Sequence, residues 1–333
     1  MFASYKNVPF LAKTASITQL PSVASLGSLR ALPPPHGERQ AFIGFGDPWF
    51  SPQQAVEASR ETQVAQLQTR GARGLMQTRG MPLVRRNAPS TQNIDSAELA
   101  QLPRLPDTAD EVRSIALALK ADPIKDVFTG REANERRVRS MDISNRKVVM
   151  FATHGLVPGD LNGLTQPALA LSAPNVADID GDGLLTLDEI LGLKLNADWV
   201  VLSACNTATG DGAGAEAVSG LGRAFFYAGT RALLVSNWPV ETTSARALTT
   251  DLFRRQAQDS QLSRAEALRL AEVALIDGPG YVDPDSRATV FSYAHPIFWA
   301  PFSLVGDGGG SPARVGGNTT GPGPIADAAT AAR

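Results

Sequence analysis

Cys205 is the sole cysteine of the 333-residue chain, and it follows the apolar run Trp199-Val200-Val201-Leu202-Ser203-Ala204, where the sequence turns polar and glycine-rich over 206–214. His154 stands in the same relation to a second run, Val148-Val149-Met150-Phe151-Ala152-Thr153, and is followed by Gly155. Short, continuous apolar runs ending in polar residues read as buried strands. Two such strands in one parallel sheet would carry a thiol and an imidazole to the same rim, where open α/β sheets place their chemistry. A neutral thiol is a modest nucleophile, so an imidazole within reach of its proton is what makes a cysteine hydrolase work. Gly155 lets backbone approach a substrate and offers an N–H, and the N–H of Cys205 is the natural second donor of an oxyanion hole. The same pair has a plainer reading, with Cys205 a small buried hydrophobe and His154 a polar residue at a strand end.

Between the two runs, Asp178-Ile179-Asp180-Gly181-Asp182-Gly183-Leu184-Leu185-Thr186-Leu187-Asp188-Glu189 satisfies the EF-hand loop pattern. Ca²⁺ takes oxygen ligands, and the spacing offers the carboxylates of Asp178, Asp180 and Asp182, the Leu184 carbonyl, Thr186 and a bidentate Glu189, with Gly183 at the sharp turn. A bound ion would order the connection between the two strands and make activity calcium-modulated. Against this, the run before Asp178 contains Pro174 and does not make an entering helix. Thr186 and Glu189 equally form a capping box for a helix over 187–193, so a plain capped turn stands beside the calcium site.

The elements that must position these residues alternate. Strands are expected over 41–46, 126–128, 148–153, 199–204, 232–236 and 298–305. Helices are expected over 107–119 (capped by Asp107 or Thr108), 132–141, 220–227, 241–257 and 262–276. Alternating strands and helices predict an α/β domain, a mainly parallel sheet of about six strands covered on both faces. Residues 50–100 read as a basic, low-complexity insertion forming a surface loop: the segment 62–94 has five arginines and no acidic residue, and Gln-Thr-Arg-Gly occurs at 68–71 and again at 77–80. The tail 307–333 reads as disordered. Arg70, Arg73, Arg79, Arg85 and Arg86 suggest a solvated loop or a segment cut by the protein itself; stacking aromatics for a nucleic-acid patch are missing.

Composition sets the class. The chain is 43% hydrophobic with a formal charge of −2, which fits a globular core and gives no electrostatic reason to bind nucleic acid or an acidic membrane. A single cysteine cannot make an internal disulfide, no run approaches a bilayer span, and no signal peptide opens the chain, so a cytoplasmic location is expected. The order and the His-to-Cys separation match the roughly 50 residues found in caspases.

Several blocks carry a more specific resemblance: Leu105-Pro106 with Glu111-Val112, Phe128-Thr129-Gly130 with Glu132-Ala133, Ala152-Thr153-His154-Gly155, Leu202-Ser203-Ala204-Cys205-Asn206-Thr207, Ala224-Phe225 with Ala228-Gly229, Ser236-Asn237-Trp238-Pro239-Val240, and His295-Pro296 with Trp299-Ala300-Pro301-Phe302. In this order they resemble the CHAT domain, a caspase-like family of clan CD cysteine peptidases related to separase and often associated with TPR repeats. Leu20-Pro21-Ser22 and Gly46-Asp47-Pro48 extend the likeness toward the start, giving a domain over 1–306. The resemblance implies a three-layer α/β/α caspase-like fold, a His154–Cys205 dyad hydrolysing peptide bonds in a protein or peptide substrate, no cofactor for the chemistry, and a TPR-type partner. The Gln-Ala-Cys signature of caspases is absent, since Ser203-Ala204 precedes Cys205, so a preference for aspartate is not implied. Substrate contacts are expected from Asp211, which could pair with a basic side chain or simply sit solvated in its glycine loop, and from Asn237 and Trp238 lining a subsite. The alternatives to an enzyme are a catalytically silent interaction module with this fold and a calcium-responsive scaffold.

Overall fold

The computed structural model describes residues 2–33, 37–70, 96–161, 163–203, 213–238, 240–283 and 286–309. In chain order the elements are α1 (Val23–Ala31), β1 (Gln40–Gly46), α2 (Pro52–Arg70), α3 (Asp107–Ala118), β2 (Val127–Thr129), α4 (Glu135–Ser140), β3 (Arg146–Ala152), β4 (Gly155–Leu156), β5 (Ala168–Ala170), α5 (Pro174–Ala177), β6 (Leu184–Thr186), α6 (Leu187–Leu191), β7 (Trp199–Leu202), α7 (Ala213–Ala228), β8 (Ala232–Ser236), α8 (Thr242–Gln258), α9 (Arg264–Asp277), β9 (Tyr281–Val282), β10 (Thr289–Phe291) and β11 (Phe302–Gly306).

Six strands form the main sheet in the order β11-β8-β7-β3-β1-β2. All neighbours are parallel except β11, which pairs antiparallel with β8. The central strands are apolar without alternation because both faces are covered. Phe42, Val148, Met150 and Val201 face a layer built from α3, α8 and α9, with Val112, Ile115, Leu248, Leu252 and Leu268. Ile43, Val149, Phe151 and Val200 face the other layer, with Val138, Ile190, Leu221 and Phe225. This is the three-layer α/β/α arrangement of a caspase-like fold, with the mainly parallel six-stranded sheet that the apolar runs predict.

Close approach of α3 to the sheet depends on β1 glycines. A Cβ on Gly44 would lie 2.4 Å from Val112 Cγ1, and one on Gly46 would lie 3.0 Å from the Thr108 carbonyl. A second small sheet, β4-β5-β6, grows directly from the end of β3. It carries its own apolar cluster of Phe50, Leu102, Leu156, Ala170 and Val176.

Several expectations are corrected. The loop expected over 50–100 begins as a helix, α2, and residues 96–101 form a 3-10 turn; Arg73, Arg79, Arg85 and Arg86 lie outside the described residues. Ahead of β1, where no element is expected, the chain forms α1, capped by Ser22. The cap position of α3 falls on Pro106 rather than on Asp107 or Thr108, and the Thr108 hydroxyl donates to the Leu105 carbonyl and accepts from the Asp47 N–H. Past 306, Asp307 and Gly309 are still tied down by Arg264, and 310–333 lie outside the described residues. No helix among the described residues is long and apolar enough to cross a membrane.

Candidate functional site

His154 follows β3 and Ser203 follows β7, two adjacent parallel strands whose register pairs Phe151 with Leu202. The Ser203 N–H extends that ladder to the Phe151 carbonyl at 3.0 Å. The two strand ends are therefore side by side at one rim of the sheet, and neighbouring strands sit about 4.8 Å apart. Cys205, two residues beyond Ser203 in sequence, lies outside the described residues, as does Asp211.

His154 is fully buried, its backbone carbonyl accepts from the Ala170 N–H at 2.9 Å, and its ring lies 5.6 Å from that of Phe50. Its Nε2 is 2.8 Å from the carbonyl oxygen of Pro103. A carbonyl can only accept, so Nε2 carries the hydrogen, and in the neutral ring Nδ1 is left as the basic nitrogen. This partner is a backbone atom far from His154 in sequence, and no side-chain motif announces it. Gly155 begins β4 and pairs with Leu169 of β5, which fixes the backbone just after the imidazole.

The end of β7 is held from below by a carboxyl. Ser203 Oγ lies 3.1 Å from both oxygens of Glu111, on α3, and the Thr249 hydroxyl of α8 is 3.3 Å from one of them. Glu111 is completely buried. It links two helices of one layer to the end of β7, a role that its place in the Glu111-Val112 block does not reveal.

Asn237 and Trp238 follow β8, the strand beside β7. Asn237 donates from Nδ2 to the Pro301 carbonyl at 3.0 Å and to the Ser303 hydroxyl at 2.6 Å, and its N–H also donates to Pro301. Its amide thus fastens β8 to β11. Trp238 is half-buried beside it.

The acidic loop has a short entering helix after all, α5, with Pro174 at its first position, where proline is tolerated. Strand β6 supplies Leu184 and Thr186, and α6 follows at once. Glu189 Oε2 accepts from the Thr186 N–H at 2.9 Å and pairs with its hydroxyl at 3.0 Å, closing the capping box. Glu189 Oε1 accepts from Arg139 at 2.7 Å, and the same guanidinium nitrogen donates to Glu135 at 2.8 Å. Asp182 Oδ1 accepts from the Leu184 N–H, and the Asp182 N–H donates to Glu135. Arg139 therefore puts a positive charge on the carboxylate that would have to be the bidentate calcium ligand. Among the described residues no three His, Cys, Asp or Glu side chains are grouped to hold a metal. In this geometry Thr186 and Glu189 form the capping box that the sequence offers.

A family model described as "CHAT domain" matches residues 2–307. Over 125 residues the chain is 29% identical to tetratricopeptide repeat protein 28 of Mus musculus, a stretch that covers 37% of this chain and 4% of the mouse protein.

Proposed function

Because this chain belongs to the CHAT domain family, a peptidase-related, caspase-like group, we propose that it is a cysteine endopeptidase acting through His154 and Cys205. The observation that carries the reading is the pairing of the Pro103 carbonyl with His154 Nε2 at 2.8 Å, on a ring set at the end of β3 beside the end of β7. That contact holds the imidazole in the tautomer a general base needs. Nδ1 accepts the thiol proton, the thiolate attacks the scissile carbonyl, and a thioester forms as the amine leaves with the proton returned by the imidazolium. Water, activated by the same nitrogen, then attacks the thioester and releases the acid and the thiol. The N–H groups of Gly155 and Cys205 are assigned to the oxyanion.

Full burial of His154 suits this division of labour, since the ring needs contact only with the sulfur and the reacting atoms, and exclusion of bulk water strengthens its interactions there. No step requires a metal, and the acidic loop serves as a capped turn that braces the small sheet continuing from His154. Asp211 is assigned to the substrate side, while Asn237, which holds β8 to β11, and Trp238 beside it are assigned to the subsite wall. A repeat-type protein partner belongs to the same reading, supported by the likeness to a tetratricopeptide repeat protein.

The test is covalent labelling with a panel of peptidyl electrophiles followed by mass spectrometry of the intact chain. The proposal expects a single adduct on Cys205 that forms in the wild type and is lost in His154→Ala. No adduct with any peptide, or one indifferent to His154, would defeat it in favour of a non-catalytic module.

A further inference from the structure

The Pro103 carbonyl can fix an imidazole only if something fixes the carbonyl. We propose that the Asp47–Arg104 ion pair, seconded by Gln54, is a positioning device that aims the Pro103 carbonyl at His154 and so selects the ring's working tautomer. The inference rests on the reading of His154 as a base.

Arg104, the next residue after Pro103, donates from Nε and Nη2 to the two oxygens of Asp47 at 2.9 and 2.8 Å. A two-pronged pair of this kind fixes the plane of the guanidinium as well as its distance. Asp47 is 4% exposed and sits just past β1, the neighbour of β3, so the anchor belongs to the same sheet that delivers His154. Its backbone is held in the left-handed region at φ 46°, with its N–H on the Thr108 hydroxyl at 2.7 Å and its carbonyl accepting from Gly130 at 3.0 Å. Such a conformation in a non-glycine residue costs on the order of 1 kcal/mol and persists where the surroundings over-determine it.

On the other side of Pro103, Gln54 in the first turn of α2 donates from Nε2 to the Leu102 carbonyl at 2.7 Å. The same side chain accepts from the Phe50 N–H at 2.8 Å, and Phe50 packs against the His154 ring. Both neighbours of Pro103 are thus held, and proline's own φ is restricted by its ring. The carbonyl between them has little freedom left.

Stability is a poor explanation for the pair. Burial pushes the Asp47 carboxyl up from its ordinary value even though Arg104 pulls it down. Buried pairs of this sort contribute little net folding energy while fixing geometry. Arg104 also reaches Glu61 of α2 at 2.7 Å, where the carboxylate is largely solvated, so that contact adds little.

The experiment uses the full chain with ¹⁵N-labelled histidine; it contains three, His36, His154 and His295, and His154→Gln assigns the signal of interest. Wild type is expected to show His154 as the Nε2–H tautomer. Arg104→Ala should give a mixture of tautomers and slow alkylation of Cys205 at neutral pH by roughly tenfold or more, the scale set by small misplacements of a catalytic group. Arg104→Lys should not restore either readout, because an ammonium cannot make the fork, and Gln54→Ala should move both in the same direction by less. The proposal is overturned if Arg104→Ala, still folded by near-ultraviolet circular dichroism, keeps the wild-type tautomer and rate. Should Arg104→Ala unfold, Gln54→Ala decides, and an unchanged tautomer there overturns it. A wild-type thiol indifferent to His154 would refute the peptidase instead, leaving the tautomer readings to judge the clamp.

Discussion

Replacing Glu272 by glutamine should stabilise the protein, and by an amount that depends on pH. Glu272 lies on α9 in a groove walled by Phe10, Leu268, Trp299 and Phe302. Its neighbour Arg269 is already committed, with Nε and Nη2 on Glu266 and Nη1 on the Lys13 carbonyl. Burial therefore dominates and pushes the Glu272 carboxyl up from 4.5 to about 8, with Arg269 opposing only weakly. A carboxyl whose pKa is raised by folding contributes stability in full below its unfolded pKa and loses it as pH climbs through the folded value. At pH 7 the unfolded chain has released this proton and the folded chain has kept it. At 1.36 kcal/mol per unit, the 2.5 units from 4.5 to 7 amount to ~3 kcal/mol relative to acid. Partial exposure of the side chain lets solvent screen the effect, which trims the expected cost to ~1–2 kcal/mol. Glutamine keeps the size and abolishes the titration. Urea midpoints of wild type and Glu272→Gln, taken from pH 4.5 to 9, should coincide at the acid end and separate steadily, with the variant ahead by ~1–2 kcal/mol at pH 7 and more at pH 9. Thiol reactivity should be unchanged. A difference that is constant across pH, or a variant that is less stable at pH 8, would refute the argument that burial controls this group.

Three further outcomes are expected. Thr186→Ala removes the capping-box hydroxyl and should cost ~1 kcal/mol in urea unfolding, while added Ca²⁺ should leave wild type and Asp180→Ala equally stable, with no binding heat in calorimetry; a calcium-dependent gain lost in Asp180→Ala would restore the ion-site reading. Gly44→Ala drives a methyl to within 2.4 Å of Val112 and should destabilise by ~1–3 kcal/mol, with Val112→Ala recovering part of the loss in a double-mutant cycle; additive effects would show that the two do not touch. If the basic segment after α2 is a substrate of the protein's own site, fragments ending among Arg73 to Arg86 should appear in wild type and be missing in Cys205→Ala, and equal nicking of both would rule out self-cleavage.

The parts of the fold legible in the sequence are those whose physics is local. The run at 232–236 became β8 with the same bounds, because a strand buried on both faces must be apolar at every position. The α8 and α9 helices also stand within two residues of where their patterns place them. Elements set by tertiary partners were harder to read. The β4 to β6 strands are two or three residues long, too short for any period to show, and they exist because they pair with one another. Helix α2 was hidden by the arginine-rich repeat that follows it. The last main strand begins at Phe302 rather than 298, since Pro296 to Pro301 fold into turns that bring Trp299 Nε1 onto the Ala294 carbonyl. At the site, His154 was visible as a residue type at a strand end, whereas its partner is a main-chain oxygen, which every residue possesses. Thr108 carries a similar lesson: a good capping residue was spent instead on the strained backbone of Asp47.

The central claim is that the His154 imidazole controls the Cys205 thiol, and one measurement addresses it directly. With a single cysteine in the chain, iodoacetamide alkylation followed by intact mass reports one site. Its rate should be followed from pH 5 to 10 in wild type and His154→Ala. The account predicts a wild-type inflection well below the ~8.5 of a free thiol, returning to that value in the variant together with a large loss of rate at pH 7. Superimposable profiles for the two proteins would contradict it.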